Sequence, residues 1–215
     1  MANSLSLIGS RFGRLAAVAC VILAATISLA APLGTGQTLY PAPGEPDPTG
    51  GVAACGSPVT YAFATGTFSG TLTTTVIAGD PSNPYGGLTF TYVLHNDATS
   101  TNVNARLTTR DWTGFSTDAS YQTPATGVIP TYIDRLTVDV IGFSFQGPPI
   151  GAGPIPPGAN SAVLVVQSNA HTCVDAIANV IDGSTANVQT LGPAPEPSAL
   201  VLLAMGGFAL IRRRR

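Results

Sequence analysis

The feature that most constrains the fold of this chain is an alternation of apolar and polar residues with a period of two. It is clearest at residues 88–94, LTFTYVL, where apolar or aromatic side chains recur at every second position. Successive side chains of a β-strand point to opposite faces of a sheet, so the pattern predicts a strand with one face in a core. Further segments with strand patterns lie at residues 59–63, 67–77, 103–109, 133–145, 162–167, 174–181 and 186–191.

These short strands, with no long amphipathic helix between them, predict an all-β domain over residues 58–191, folded as an antiparallel β-sandwich. A closed β-barrel is the alternative. Asp182 and Gly183 predict a hairpin turn between the last two strands, although residues 174–181 also fit a helical turn. The sequence has no internal repeat of fixed period, which argues against a propeller or a β-helix.

The composition is typical of an exported β domain with many turns. Only 9% of the residues are charged, whereas 24 of the 215 are glycine and 18 are proline. In such domains Thr, Ser and Asn take the place of charged residues on the solvent-exposed face of the sheets. The chain has no lysine, and residues 31–192 hold three arginines against ten acidic residues. Because a surface of that charge repels phosphate backbones, we expect no nucleic-acid partner.

Residues 1–30 have the three parts of a secretory signal peptide. Arg11 and Arg14 form its positive region, and residues 15–29 form its uncharged apolar helix. The small residues of Ser28-Leu29-Ala30 place the cleavage before Ala31. The expected partners are the export machinery and a signal peptidase. An uncleaved signal anchor is the alternative, since about fifteen apolar residues nearly span a membrane.

Two segments rich in Pro and Gly flank the predicted sandwich. Residues 31–57 include PAPGEPDPTGG and have no apolar period, so they predict a flexible or polyproline-like leader. Residues 192–198 predict a linker that contains a Pro-Glu-Pro motif and holds the domain off the membrane.

The C-terminus combines a short apolar helix with a basic end. Residues 199–211, ALVLLAMGGFALI, predict a transmembrane helix of about 20 Å, which spans a bilayer if flanking residues snorkel or the bilayer thins. The four arginines at 212–215 keep this end in the cytoplasm and the main domain outside. The motif consists of Pro195, Glu196 and Pro197, and the membrane stop of Arg212, Arg213, Arg214 and Arg215.

This order of a Pro-Glu-Pro motif, a short apolar helix and a basic end, on a chain with a signal peptide, resembles the sorting tail of PEP-CTERM proteins. The resemblance covers about residues 193–215. It implies recognition by an exosortase, a membrane enzyme that cuts near the motif and passes the protein outward. It further implies anchoring with the domain outside, then release to the cell surface or medium, and an association with extracellular polysaccharide and biofilm matrix.

The cysteines predict one disulfide bond. Cys20 leaves with the signal peptide, so that Cys55 and Cys173 remain as a pair in an oxidising compartment. Their bond would tie the entry of the first strand to the end of the domain. Two free thiols are the alternative.

The residues that carry catalysis are sparse. His95 and His171 are the only histidines, and no spaced His/Cys cluster or nucleophile-elbow pattern accompanies them. We therefore expect a non-enzymatic protein that needs no cofactor. Calcium held by loop carboxylates is an alternative, although the aspartates follow no EF-hand spacing and lie in turn sequences.

Residues 110–121 concentrate aromatic and polar side chains. Trp112, Tyr121 and Asp111 are candidate glycan contacts, because sugar rings stack on aromatic faces while their hydroxyls bind carboxylates. The alternative, which we favour, is that Trp112 fills the core, where large aromatic residues normally lie.

Three functions remain open on the sequence alone. The first is a surface-sorted structural or adhesive protein, which belongs to an extracellular polysaccharide or biofilm matrix. The second is a carbohydrate- or calcium-binding β-sandwich module. The third is a secreted hydrolase with an unrecognised site.

Overall fold

A computed structural model of the chain describes residues 31–46, 48, 50–147 and 153–194. The predicted signal helix, the Pro-Glu-Pro motif, the C-terminal helix and the arginine tail lie outside these residues. Within the described part the fold is all-β, and no helix has the length and hydropathy that crossing a membrane requires.

Twelve strands make up the described part of the fold. In chain order they are β1 (Gln37–Leu39), β2 (Gly44–Pro46), β3 (Val52–Ala64), β4 (Ser69–Ala78), β5 (Thr89–Asn96), β6 (Arg106–Thr109), β7 (Thr117–Thr123), β8 (Tyr132–Arg135), β9 (Ile141–Ser144), β10 (Leu164–Ser168), β11 (Cys173–Asp182) and β12 (Ser184–Pro193).

The strands form two sheets of six. Sheet I has the order β2-β7-β10-β5-β4-β3, and sheet II has the order β1-β8-β9-β6-β11-β12. All neighbours are antiparallel except β2 and β7, which are parallel. Two open sheets of this kind fit the predicted sandwich, and the closed-barrel alternative is wrong.

The core lies between the two sheets and is built from the alternating residues that the sequence pattern marks. On β5, Phe90, Tyr92 and Leu94 are fully buried, and Leu72 and Val76 of β4 lie beside them. Sheet II contributes aliphatic and aromatic residues from β6, β8, β9, β11 and β12. They include Leu107, Ile133, Ile141, Phe143, Val180 and Val188.

The predicted flexible leader at residues 31–57 is wrong. This segment forms β1, β2 and the start of β3, and it buries Leu33 and Ala42 in the core. Its prolines and glycines shape turns that let short strands join both sheets. The predicted linker also begins later than expected, because β12 continues through Gly192 to Pro193.

The single strand predicted at residues 133–145 is two strands, β8 and β9, paired as a hairpin with Tyr132 opposite Ser144. The chain turns between them, which exposes Leu136 and Val138. Strand β7 has no predicted counterpart. The hairpin turn at Gly183, whose φ is 66°, is confirmed, and the helical alternative for residues 174–181 is wrong.

Strand β3 contains an irregularity that matters for the disulfide bond. Its pairing with β4 shifts register between Ala54 and Val59. At this bulge Cys55 and Gly56 adopt left-handed φ angles of 58° and 68°. The extra residues re-aim the strand, as β-bulges do, and place Cys55 beside the start of β11.

Candidate functional site

The predicted disulfide bond between Cys55 and Cys173 is confirmed. Their Cα atoms are 6.4 Å apart, and 118 positions separate them in sequence. Cys55 lies on the outer strand of sheet I and Cys173 opens β11 of sheet II. The bond therefore links the two sheets at one side of the sandwich.

Trp112 lies in the core, as the favoured interpretation expects. Its indole Nε1 donates to Thr109 Oγ1 at 2.9 Å, and its ring meets Phe90 edge-on with 5.4 Å between centroids. No part of Trp112 is exposed. A ring with no free face cannot stack on a sugar, so the glycan-contact interpretation of Trp112 does not hold.

The three candidate glycan contacts do not come together. Tyr121 lies half-buried on β7 of sheet I and packs against the core. Asp111 is exposed just after β6 of sheet II, with a left-handed φ of 71°. Of the three, Asp111 is therefore the most exposed to solvent.

Asp111 lines an open groove of about 550 Å³ on the outer face of the β11–β12 hairpin. With its amide oriented to satisfy its neighbours, Asn179 donates to Asn187 Oδ1 at 2.7 Å and accepts from Arg110 at 3.3 Å. Asp175 lies on the same face of β11, and Ile177 adds an apolar side chain that is 51% exposed. The groove thus presents acids, an arginine and amides beside one apolar patch, and the sequence pattern did not mark it.

Two arginines of the domain bind buried groups. Arg106 donates to the carboxylate of Asp134 at 2.7 Å, and Asp134 is buried. Arg135 is buried and donates to three backbone carbonyl oxygens, those of Trp112, Phe115 and Val138. Burial lowers the pKa of its guanidinium, and the charge of Asp139 opposes that shift. Arg135 therefore holds the loop before β7 in place.

A buried pair of acids occupies the outer face of sheet I. Asp118 on β7 is 1% exposed and Glu45 on β2 is 7% exposed. Burial, together with the charge of Glu45, raises the pKa of Asp118 to about 7. Burial likewise raises the pKa of Glu45, although a hydrogen bond of 3.2 Å from Ser120 opposes it. Neither acid was marked in the sequence, because a lone Asp or Glu carries no signal of burial.

No metal site accompanies these groups in the described part of the chain. His95 binds Asn160 at 2.7 Å and lies 3.7 Å from Asp97, while His171 is exposed elsewhere. No group of three or more His, Cys, Asp or Glu within the described residues is arranged to hold an ion.

The described residues define a disulfide-linked, all-β domain of the kind that is stable outside the cytoplasm. Residues 193–215 match the PEP-CTERM protein-sorting motif, which implies recognition by an exosortase. The protein is thus exported and sorted at the membrane toward the cell surface. No curated protein and no solved structure matches the chain.

Proposed function

We propose that this protein is a non-enzymatic structural or adhesive component of the cell surface, which exosortase processing delivers into an extracellular polysaccharide matrix. The observation that carries the proposal is the junction of domain and tail. Strand β12 ends at Pro193, where the sorting motif begins. The folded domain therefore continues directly into the segment that an exosortase recognises.

Two links between the sheets support this role. A disulfide bond links the sheets, and the buried Thr74 and Thr190 hydroxyls join them at 2.7 Å. A matrix component works outside the cell, where chaperones and resynthesis give little help, so covalent and buried polar links between its layers are useful there.

The test is the location of the protein in the bacterium that produces it. We expect an antibody against the sandwich to find the protein in the polysaccharide-rich surface fraction, where external protease digests it on intact cells. Glu196→Ala should leave it at the membrane, whereas Ser198→Ala, just after the Pro-Glu-Pro residues, should not. Wild-type protein that stays in the membrane fraction, or cells whose matrix cohesion survives deletion of the gene, would contradict the proposal.

A second function, carbohydrate binding, is favoured by the groove on the β11–β12 hairpin. Sugar hydroxyls bind carboxylates, amides and guanidinium groups, and the groove has all three in Asp111, Asp175, Asn187 and Arg110. Its apolar contact, Ile177, suits the C–H face of a pyranose ring.

This second function is tested with polysaccharide isolated from the producing bacterium. Asp175→Ala and Asn187→Ala should each weaken binding by about tenfold, since a lost hydrogen bond costs about 1.4 kcal/mol. Thr60→Ala, an exposed change on sheet I, is the matched control. Binding that neither groove variant alters, with the fold intact, would exclude the groove.

A further inference from the structure

The buried acids Asp118 and Glu45 lack the partners that their burial requires. Both carboxylate oxygens of Asp118 and Oε1 of Glu45 receive no hydrogen bond of good geometry from the described residues. An unpaired buried carboxylate is costly, so native structures normally supply a cation or several donors. The site is therefore incomplete as the uncut chain presents it.

The backbone nitrogen of Ala31 lies at this site. Its N–H approaches both carboxyl groups closely enough to lower the pKa of each, against the larger effect of burial. Charged neighbours do not supply the missing cation. Beyond burial, the charge of Asp80 adds to the rise in the pKa of Glu45, and the charge of Asp118 adds to the rise in the pKa of Tyr85, so neither of these neighbours brings a positive charge.

Residues 31–33 are held firmly against β7. Ala119 donates its backbone N–H to Ala31 at 3.3 Å, and Leu33 donates to the Thr117 carbonyl at 2.8 Å. The Thr117 hydroxyl donates to Leu33 at 2.8 Å, and Leu33 is 1% exposed. The position of the Ala31 nitrogen is thus fixed by the fold.

The same residue follows the cleavage site that the sequence predicts, Ser28-Leu29-Ala30. Hydrolysis there breaks the Ala30–Ala31 peptide bond, and water adds a hydroxyl group to Ala30 and a hydrogen to the nitrogen of Ala31. The new α-amino group takes up a proton near pH 7, because its ordinary pKa is about 7.7 to 8.0. One amide N–H is replaced by three donors and a positive charge.

We propose that Asp118 and Glu45 form the binding site for the α-ammonium group of Ala31, which signal-peptide cleavage releases. Cleavage then supplies the positive charge that the two buried carboxyl groups lack. The domain therefore reaches its full stability only after it has crossed the membrane. Only the processed chain has an ammonium group at Ala31, so the site is satisfied in the processed chain and not in its precursor.

The chain is well suited to a direct test, because it contains no lysine. The α-amino group is its only primary amine, so an amine-reactive ester reports on that group alone. The full chain, with its own signal peptide, is produced in an exporting bacterium, and the processed product is labelled when folded and when denatured. Intact mass gives both the first residue and the number of labels.

We expect a product that begins at Ala31 and is labelled at least about tenfold more slowly when folded, since one unit of raised amine pKa lowers the reactive fraction tenfold. Asp118→Asn should restore fast labelling of the folded protein, and Glu45→Gln serves the same purpose if that variant fails to fold. Asp175→Asn, an exposed change on β11, should leave the protection intact.

Insertion of Gly-Ser between Ala30 and Ala31 provides a test that leaves both acids in place. It moves the amine two residues outward, so the folded product should label quickly and melt at a lower temperature. A native N-terminus other than Ala31, or equal labelling of the folded wild type and the acid variants, would overturn the proposal.

Discussion

The hydroxyl groups of Thr74 and Thr190 form a hydrogen bond of 2.7 Å across the interior of the sandwich, one from each sheet. Both residues are buried, so each hydroxyl depends on the other. Thr74→Val leaves the Thr190 hydroxyl unpaired, and we expect it to lower the free energy of unfolding by about 1 to 3 kcal/mol.

The double variant Thr74→Val/Thr190→Val should recover most of that loss, because no buried hydroxyl is left without a partner. Urea unfolding of the four proteins in the cycle measures this coupling. The exposed pair Thr60 and Thr73, at 2.9 Å, is the matched control, and Thr60→Val should change stability by less than about 0.5 kcal/mol. Additive losses at Thr74 and Thr190 would contradict a coupled pair.

The disulfide bond between Cys55 and Cys173 closes a long loop and restricts the unfolded chain. Replacing both residues with Ser should lower the free energy of unfolding by about 4 to 5 kcal/mol, judged from the chain entropy of so long a loop. Urea denaturation measures the loss, and wild type with reductant should behave like the variant. Alkylation of the denatured, unreduced protein that lacks residues 1–30 should add no label.

Trp112 should behave as a core residue. Trp112→Ala should cost about 3 to 5 kcal/mol by opening a cavity beside Phe90, whereas Trp112→Phe should cost much less. Thermal melting by circular dichroism separates the two variants. If Trp112→Ala kept the wild-type melting temperature, the burial of Trp112 against Phe90 would be contradicted.

Arg106 neutralises the nearly buried carboxylate of Asp134. Arg106→Leu should lower the free energy of unfolding by about 2 to 3 kcal/mol, between the values for exposed and fully buried pairs. Arg106→Leu/Asp134→Asn should recover part of the loss, because the unpaired charge is gone. Urea unfolding of both variants measures this, and a loss below about 0.5 kcal/mol would show that the pair is solvated.

The raised pKa of Asp118 predicts how stability varies with pH when further residues precede Ala31, so that Ala31 has no free α-ammonium group. The folded state holds a proton that the unfolded state loses above its ordinary pKa of 3.8, and folded Asp118 loses it at about 7. Stability is therefore highest below about pH 4 and falls as the pH rises toward 7.

Melting temperatures of the Gly-Ser insertion protein between pH 4 and 7 measure this slope. Adding Asp118→Asn to the same protein should flatten it, since the titrating group is removed. The processed wild type should also lose less stability over this range, because an ammonium partner lowers the pKa of the carboxyl group. A steep fall that survives Asp118→Asn would assign the slope to other groups.

Strands in which apolar and polar residues alternate strictly could be predicted from the sequence. The clearest cases are β4, β5 and β12. The disulfide bond followed from the number of cysteines and the compartment. Residues 31–57 could not be placed, since proline and glycine suit both a flexible segment and the turns of a packed one. Only the isolated apolar residues Leu33 and Ala42 distinguish the two.

Strand β7 and the buried acids were missed for a related reason. Asp118 and Ser120 lie on the outer face of sheet I, where a polar residue normally faces water. Residues 31–33 and β2 pair with the edge of β7 from more than 70 positions away in sequence, and Glu45 of β2 accepts a hydrogen bond from Ser120. Because these contacts join residues far apart in sequence, they produce no local alternation of apolar and polar residues that could be detected.

The bulge at Cys55 has a consequence for how exported copies of this domain meet one another. Strand β3 is the outermost strand of sheet I and has thirteen residues, long enough for a second chain to add to its free edge. The register shift breaks that edge into two short stretches, and the bond to Cys173 keeps the break in place. The disulfide therefore also protects neighbouring copies from joining into continuous intermolecular sheets, which is the first step toward fibrils.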